Sequence, residues 1–156
     1  MPEIALPHLP LGGGCQCGAI RYEIGAAPAA FYICHCRDCQ RQSGSAFGQS
    51  LQVHAESLRV TGAPATFARQ AASGRSMHCL YCPDCGTRLW HVRAEGSPFV
   101  SLKAGTLDDP DWLRPCAEIF TDRRRAWVTV TPAPPLSYPG QPDMEEMRAA
   151  FARMLA

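Results

Sequence analysis

No stretch of this chain stays apolar for the roughly 20 residues that a membrane helix needs, which excludes a helical membrane protein. Charge of one sign is also missing. Lys+Arg number 15 against Asp+Glu 14, a formal net charge of +1, and this balance excludes a nucleic-acid binder that works by charge. The short basic run Arg123-Arg124-Arg125 follows Asp122 and reads as a solvated turn. Large apolar side chains are scarce: Leu, Ile, Val and Phe together give 29 of 156 residues, below the usual globular share. A disordered chain of that composition would carry a large net charge, and this one does not. The expectation is one folded domain with a thin conventional core. Met1–Gly14 has neither a basic n-region nor a continuous apolar h-region, so a cytoplasmic, reducing setting is expected, with no membrane or nucleic-acid partner.

What the chain has in excess is cysteine, nine in all. In a reducing setting, clustered cysteines point to metal ligands rather than disulfides, and an odd total fits a disulfide framework poorly. The spacings are Cys15-x-Cys17, Cys34-x-Cys36-x-x-Cys39 and Cys82-x-x-Cys85. Gaps of one or two residues let a tight turn aim two thiolates at one ion, as zinc–sulfur bonds near 2.3 Å require. Gly12-Gly13-Gly14 and Gly18 flank the first group, and Pro83 and Gly86 mark the third. Such turn residues let backbone amides face the sulfurs. Seven clustered cysteines divide into four and three. A structural zinc takes four protein ligands, whereas a reactive zinc keeps one position open. The simplest partition gives Cys15, Cys17, Cys82 and Cys85 to a closed site and leaves Cys34, Cys36 and Cys39 with a vacancy. Exchange of pairs between the sites stays open on spacing alone.

Two cysteines stand outside the groups. Cys79 is expected as a buried thiol in a strand, though it lies close enough to Cys82 to act as a fourth ligand. Cys116 reads as a small packed hydrophobe. His35, inside the triplet, is expected to make an outer hydrogen bond or to be exposed rather than to coordinate. His8, His54, His78 and His91 show no ligand spacing and read as ordinary.

The scaffold reads as mainly β, a single zinc-stapled domain of coiled antiparallel sheets. Strands are expected at Ala19–Ile24, Ala29–Ile33, Ala46–Val53, Leu58–Val60 and Ala65–Ala71. Further ones fall at Arg75–Leu80, Thr87–Val92, Phe99–Lys103, Glu118–Thr121 and Ala126–Thr131, with turn residues between them. The β domain is expected to span 1–131, followed over 132–156 by a Pro-rich connector and a C-terminal α-helix. Gly12-Gly13-Gly14 is not a phosphate loop, because no Lys-Ser/Thr and no helix follow. Asp143 can cap the terminal helix, with Glu146 as its capping-box partner. Met147, Ala150, Phe151, Met154 and Leu155 form one apolar stripe. The stripe docks either on its own domain or on a second copy, which would make a homodimer through this helix.

Taken in order, GGCQCGAIRYE, CHCRDCQRQSGSAFG, YCPDCGTRLW, KAGTLDDP and AEIFTDRRRAWV resemble the glutathione-dependent formaldehyde-activating enzyme family, whose domain is shared with centromere protein V. The likeness runs from about Gly13 to Val130. It implies a zinc-stapled all-β domain holding two zinc ions. Cys15, Cys17, Cys82 and Cys85 match the family's structural zinc ligands, and Cys34, Cys36 and Cys39 match its catalytic ones. Cys79 is an addition to the pattern, and Glu118 stands where a His is common.

The implied chemistry is that of a carbon–sulfur lyase. A three-thiolate zinc with an open position would lower the pKa of an incoming thiol such as glutathione for reaction with formaldehyde or another small electrophile. Such a site, formally −1, suits thiol transfer better than water activation. A thiol that carries carboxylates needs a nearby cation, and Arg37 and Arg41 are nearest in sequence. Ser43–Gly48 could offer amides or hydroxyls to the ligand. Two other readings stand beside this one: a non-catalytic zinc-binding interaction module, favoured if Cys79 fills the vacancy, and a thiol oxidoreductase, which the metal-like spacings disfavour.

Overall fold

The structure, a computed structural model, describes residues 3–155. The strands are β1 (Leu11–Gly14), β2 (Arg21–Ile24), β3 (Ala30–Cys34), β4 (Gly48–His54), β5 (Leu58–Thr61), β6 (Ala65–Gln70), β7 (Ser76–Tyr81), β8 (Arg88–Arg93), β9 (Phe99–Leu102), β10 (Ala117–Ile119) and β11 (Leu136–Tyr138). The helices are α1 (Arg37–Ser43) and α2 (Met144–Met154). A three-stranded sheet runs β1-β2-β5, and a larger sheet runs β11-β10-β3-β4-β9-β8-β7-β6. The chain is therefore mainly β, as its turn-punctuated short strands require. Among the described residues no helix is long and apolar enough to cross a membrane.

Alternation along the strands gives the large sheet two unlike faces. Register places Phe31, Leu51, Leu102, Trp90 and Leu80 side by side on one of them. This face joins Leu11, Ile20, Tyr22 and Ile24 of the first hairpin in one hydrophobic cluster. The same register places Gln52, Ser101, His91 and Cys79 on the other face, with Tyr32 two residues along from Ala30, which pairs with Gln52. A polar inner face on a thin-cored sheet leaves room for chemistry, and both cavities discussed below open on it.

Five features depart from the sequence expectation. The sheet is not wholly antiparallel, because β10 pairs in parallel with both β3 and β11. Ala126–Thr131 forms no strand: Val128 N–H closes a turn on the Arg125 carbonyl at 3.0 Å, and Trp127 is 77% exposed. The apolar alternation there had suggested a strand, but no sheet edge is offered to it. Instead β11 supplies the last strand from inside the Pro-rich connector. Prolines 135 and 139 bracket it at an edge position, where a missing N–H costs nothing. The first strand, β1, and the helix α1 were also not expected.

The apolar stripe of α2 is taken up by the chain itself. Met147, Ala150, Phe151 and Met154 are all within 1% of complete burial, and the helix packs on β3. Ile4 N–H reaches the Met154 carbonyl at 2.7 Å and fixes the helix end. A homodimer through this stripe is thus left without its apolar face, because the thin core needs these side chains. Asp143 caps the helix as expected, accepting from Glu145 N–H at 2.9 Å and Glu146 N–H at 3.0 Å. Glu146 does not complete a capping box; its carboxylate accepts from the Tyr138 hydroxyl.

Candidate metal centres and the cavity beside them

The first centre joins two hairpin turns. After β1, Cys15 N–H and the Ile20 carbonyl close the turn at 3.0 Å, and Ile20 N–H donates to Cys15 Sγ at 3.2 Å. Between β7 and β8, Cys82 N–H bonds the Thr87 carbonyl at 2.9 Å, and Gly86 N–H bonds the Cys82 carbonyl at 2.8 Å. The second turn needs Gly86 at φ +77°, a left-handed conformation that costs a side-chain-bearing residue about 1 kcal/mol or more. These turns bring the sulfurs of Cys15, Cys17, Cys82 and Cys85 within 4.8 Å of one another. Cys15 Sγ lies 3.6 Å from Cys17 Sγ, and Cys17 Sγ lies 3.8 Å from Cys82 Sγ. A tetrahedral zinc with bonds near 2.3 Å separates its thiolates by about 3.8 Å. The four cysteines therefore fit a zinc-sized ion. Thr87 steadies both turns, accepting from Gln16 N–H at 3.1 Å and placing its hydroxyl 3.1 Å from Cys85 Sγ. That hydroxyl is the main cause that lowers the Cys85 thiol to about 5.

The second centre is local. Cys34 ends β3, Cys36 is the N-cap of α1, and Cys39 lies in the first turn of that helix. The Cys36 sulfur plays the part of a capping oxygen, accepting Cys39 N–H at 3.3 Å. The three sulfurs lie within 4.8 Å of one another. So close together, they share negative charge unequally. Cys36 is pushed well below the ordinary thiol range, chiefly by hydrogen bonds from Cys34 and Cys39, whereas Cys34 is pushed far up, chiefly by Cys36. A divalent cation would relieve this crowding for all three.

Residues around the triplet hold its shape. His35, one residue past the end of β3, is not part of the sulfur group. It is fully buried, its Nε2 lies 2.7 Å from Glu118 Oε2, and its ring meets Phe47 edge-on. Arg124 Nη1 approaches the same carboxylate oxygen at 3.4 Å. Gln40 donates to the His35 carbonyl at 2.7 Å and to the Arg123 carbonyl at 3.1 Å, and accepts from Arg37 at 2.6 Å. Asp38 ties α1 to the β6–β7 hairpin by accepting Ala72 N–H at 3.1 Å. A Cβ at Gly48 would lie 3.0 Å from Cys39 Cβ, so a side chain there would press on α1.

Cys79 belongs to neither centre. It is fully buried on β7, opposite Phe67 and His91. Cys116 is buried too, with its sulfur 3.5 Å from the Met147 carbonyl. The structure contains no disulfide among its nine cysteines.

A cavity of about 540 Å³ opens beside Cys39 and is bounded by Ser43, Ser45, Phe47, Arg88 and Lys103 among others. Four residues of the Ser43–Gly48 segment line this cavity: Ser43, Ser45, Phe47 and Gly48. Arg37 and Arg41, the cations nearest in sequence, do not border it: Arg37 donates to Gln40, and both are exposed, as a solvated role requires. Arg88 and Lys103 stand there instead, and neither forms an ion pair with a carboxylate among the described residues. Simple alternation would have put Arg88 on the apolar side with Trp90. A bulge opposite Leu80/Tyr81 pairs Arg88 with Tyr81 and turns it to the inner face, where its guanidinium lies 5.0 Å from the centre of the Phe67 ring. Lys103, the chain's single lysine, donates to His91 Nδ1 at 3.1 Å. Burial lowers the pKa of Lys103, and it lowers that of His91 well below its ordinary value, with Lys103 adding to the effect. His91, read as ordinary from sequence, is thus a neutral acceptor in a cationic cluster. The one available signal was the lone lysine in a chain whose other cations are all arginine.

Among solved structures, the chain is similar to a protein from Rhodobacter sphaeroides known by crystal structure. The two share 22% identity at a TM-score of 0.50, over 67% of this chain and 92% of that one. At that identity the likeness shows the fold alone. No curated protein matches the chain. The model of the glutathione-dependent formaldehyde-activating enzyme family matches residues 10–123, which hold all seven clustered cysteines, Arg88 and Lys103. With nearly three quarters of its length so matched, the chain belongs to the glutathione-dependent formaldehyde-activating enzyme family.

Proposed function

We propose that the protein is a zinc-dependent enzyme of the carbon–sulfur lyase type. It would join a small thiol, with glutathione as the leading candidate, to formaldehyde or a similar small electrophile. In this reading Cys15, Cys17, Cys82 and Cys85 hold a structural zinc, and Cys34, Cys36 and Cys39 hold a catalytic one. The observation that carries the proposal is a three-sulfur group, with no fourth cysteine joined to it, whose Cys39 lines a cation-bearing cavity. Cys79, the residue able to close the vacancy, stands in neither sulfur group, which supports the enzyme over the structural module.

A zinc ion at the triplet would supply Lewis acidity that lowers the pKa of a bound thiol. The chain's own residues do the rest. Arg88 and Lys103 offer a guanidinium fork and an ammonium to the carboxylates of the thiol substrate. Both are partly desolvated, which strengthens the attraction. Ser45 and Phe47 form the wall along which the thiol's backbone would lie. His35, Glu118 and Gln40 fix the segment that carries the three cysteines. In the addition, a sulfur–carbon bond forms as the carbonyl π bond breaks, and the thiol proton ends on the new hydroxyl oxygen. No oxidant or reductant is needed.

The test is the rate at which zinc-loaded protein converts glutathione and ¹³C-formaldehyde to the hydroxymethyl thioether, followed by NMR exchange spectroscopy. Acceleration over the spontaneous reaction, lost at least a hundredfold in Cys36→Ser, is expected. No acceleration with any carboxylate-bearing thiol would overturn the reading.

A further inference from the structure

We propose that the C-terminal segment builds a second ligand site on the same sheet face, a pocket for a small organic anion bearing a carboxylate or phosphate group. Its volume is about 380 Å³. The floor is the polar face of the large sheet, where Tyr32, Gln52, Ser101 and His91 lie on neighbouring strands. The opposite wall is α2 with the turn before it, from which Gln141, Met144 and Arg148 reach the pocket. These wall residues lie beyond the 10–123 that the family model matches. The floor therefore lies inside the matched region, and the wall that closes it lies outside.

The lining carries one sign of charge. Arg75, Arg93 and Arg148 all border the pocket, and no Asp or Glu does. None of the three makes an ion pair with a carboxylate among the described residues. In a chain of net charge +1, three uncompensated guanidinium groups around one concavity do not follow from composition. A concave site of one sign focuses field on an oppositely charged ligand. Arg148 is also held in place. It donates to Gln52 Oε1 at 3.1 Å, and its Cζ lies 4.9 Å from the centre of the Phe99 ring. Only one of its five N–H groups is used there, so the others stay available as a fork for carboxylate or phosphate. His91 adds a neutral donor: its Nδ1 accepts from Lys103, which leaves the proton on Nε2. Met77, Val92 and Phe99 give the pocket an apolar side that suits a carbon skeleton over a bare inorganic ion.

The full-length, zinc-loaded chain would be titrated with inorganic phosphate and, separately, with succinate, while the backbone amide shifts of Ser97, Ser101 and Arg148 are followed by NMR. Saturable shifts confined to these walls are expected below about 10 mM for at least one probe. Saturation by phosphate alone assigns a phosphate ester, and saturation by succinate alone assigns a carboxylate. Arg148→Gln should weaken binding at least tenfold, Arg93→Gln about threefold, and the remote Arg41→Gln not at all. Arg93 is exposed, so its variant keeps the test valid if Arg148→Gln folds poorly. The proposal fails if neither probe saturates, or if Arg93→Gln and Arg148→Gln both bind like the unaltered chain.

Discussion

The two cysteine centres are built from one ligand type, yet they differ in how much chain they close. The four-sulfur group joins turns 65 residues apart, one on the small sheet and one on the large. The three-sulfur group lies wholly within residues 34–39, where a strand end runs into a helix cap. An ion in the first group would restrain a long loop and couple two sheets, whereas an ion in the second would restrain a segment already shaped by hydrogen bonds. Separation along the chain, as well as ligand count, therefore distinguishes the two centres. The first centre is expected to be inseparable from folding, and the second to be emptied with the fold intact.

The strongest way to break this comparison is at Cys82, which is fully buried at the start of the β7–β8 turn. Structural zinc typically contributes on the order of 10 kcal/mol at neutral pH, as much as the whole stability of a common domain. With so few large apolar side chains in reserve, Cys82→Ser should be insoluble or unfolded by circular dichroism. A cooperative melt near that of the unaltered protein would show that the four-sulfur centre is not structural. Next in size, Cys36→Ser should lose about one metal ion per chain, read by elemental analysis, while melting within a few degrees of the unaltered protein. Global unfolding of this variant would remove the distinction between the centres.

Both groups of cysteines were legible in the sequence because their ligands are clustered and turn residues mark each cluster. The polar surroundings were not, for reasons particular to each residue. Arg88 reaches the inner face through a bulge that alternation does not announce. Glu118 and His35 meet across a parallel strand pair, in a chain whose short strands suggest antiparallel neighbours. β11 hides among prolines that argue against a strand anywhere except at an edge. The helix α1 is short, and its cap is a sulfur rather than one of the usual hydroxyl or carboxylate oxygens. In each case tertiary placement decided what local pattern could not.

Smaller effects should sharpen the contrast. Glu118→Gln keeps the shape of the His35 partner and removes its charge. Groups beyond the ligands typically tune metal affinity by 10–100-fold. The variant is therefore expected to weaken zinc binding at the triplet about tenfold in chelator competition, and to leave the four-sulfur ion in place. Equal loss from both centres would mean that Glu118 supports the sheet at large rather than the triplet.

The smallest expected effect is at Cys79, and it decides how open the second centre is. Cys79 lies on β7 against Phe67 and His91, fully buried, and outside both sulfur groups. Its removal should cost what a small buried side chain costs, about 1 kcal/mol, with metal content unchanged. X-ray absorption at the zinc edge should then show the same sulfur count before and after Cys79→Ala. An added small thiol should still raise that count in both proteins, because the position it takes is not filled by the chain. A fall in sulfur count on Cys79→Ala would mean that β7 lends its thiol to the triplet in solution. Substrate would then have to displace a protein ligand, and the interaction module would become the better account of the fold.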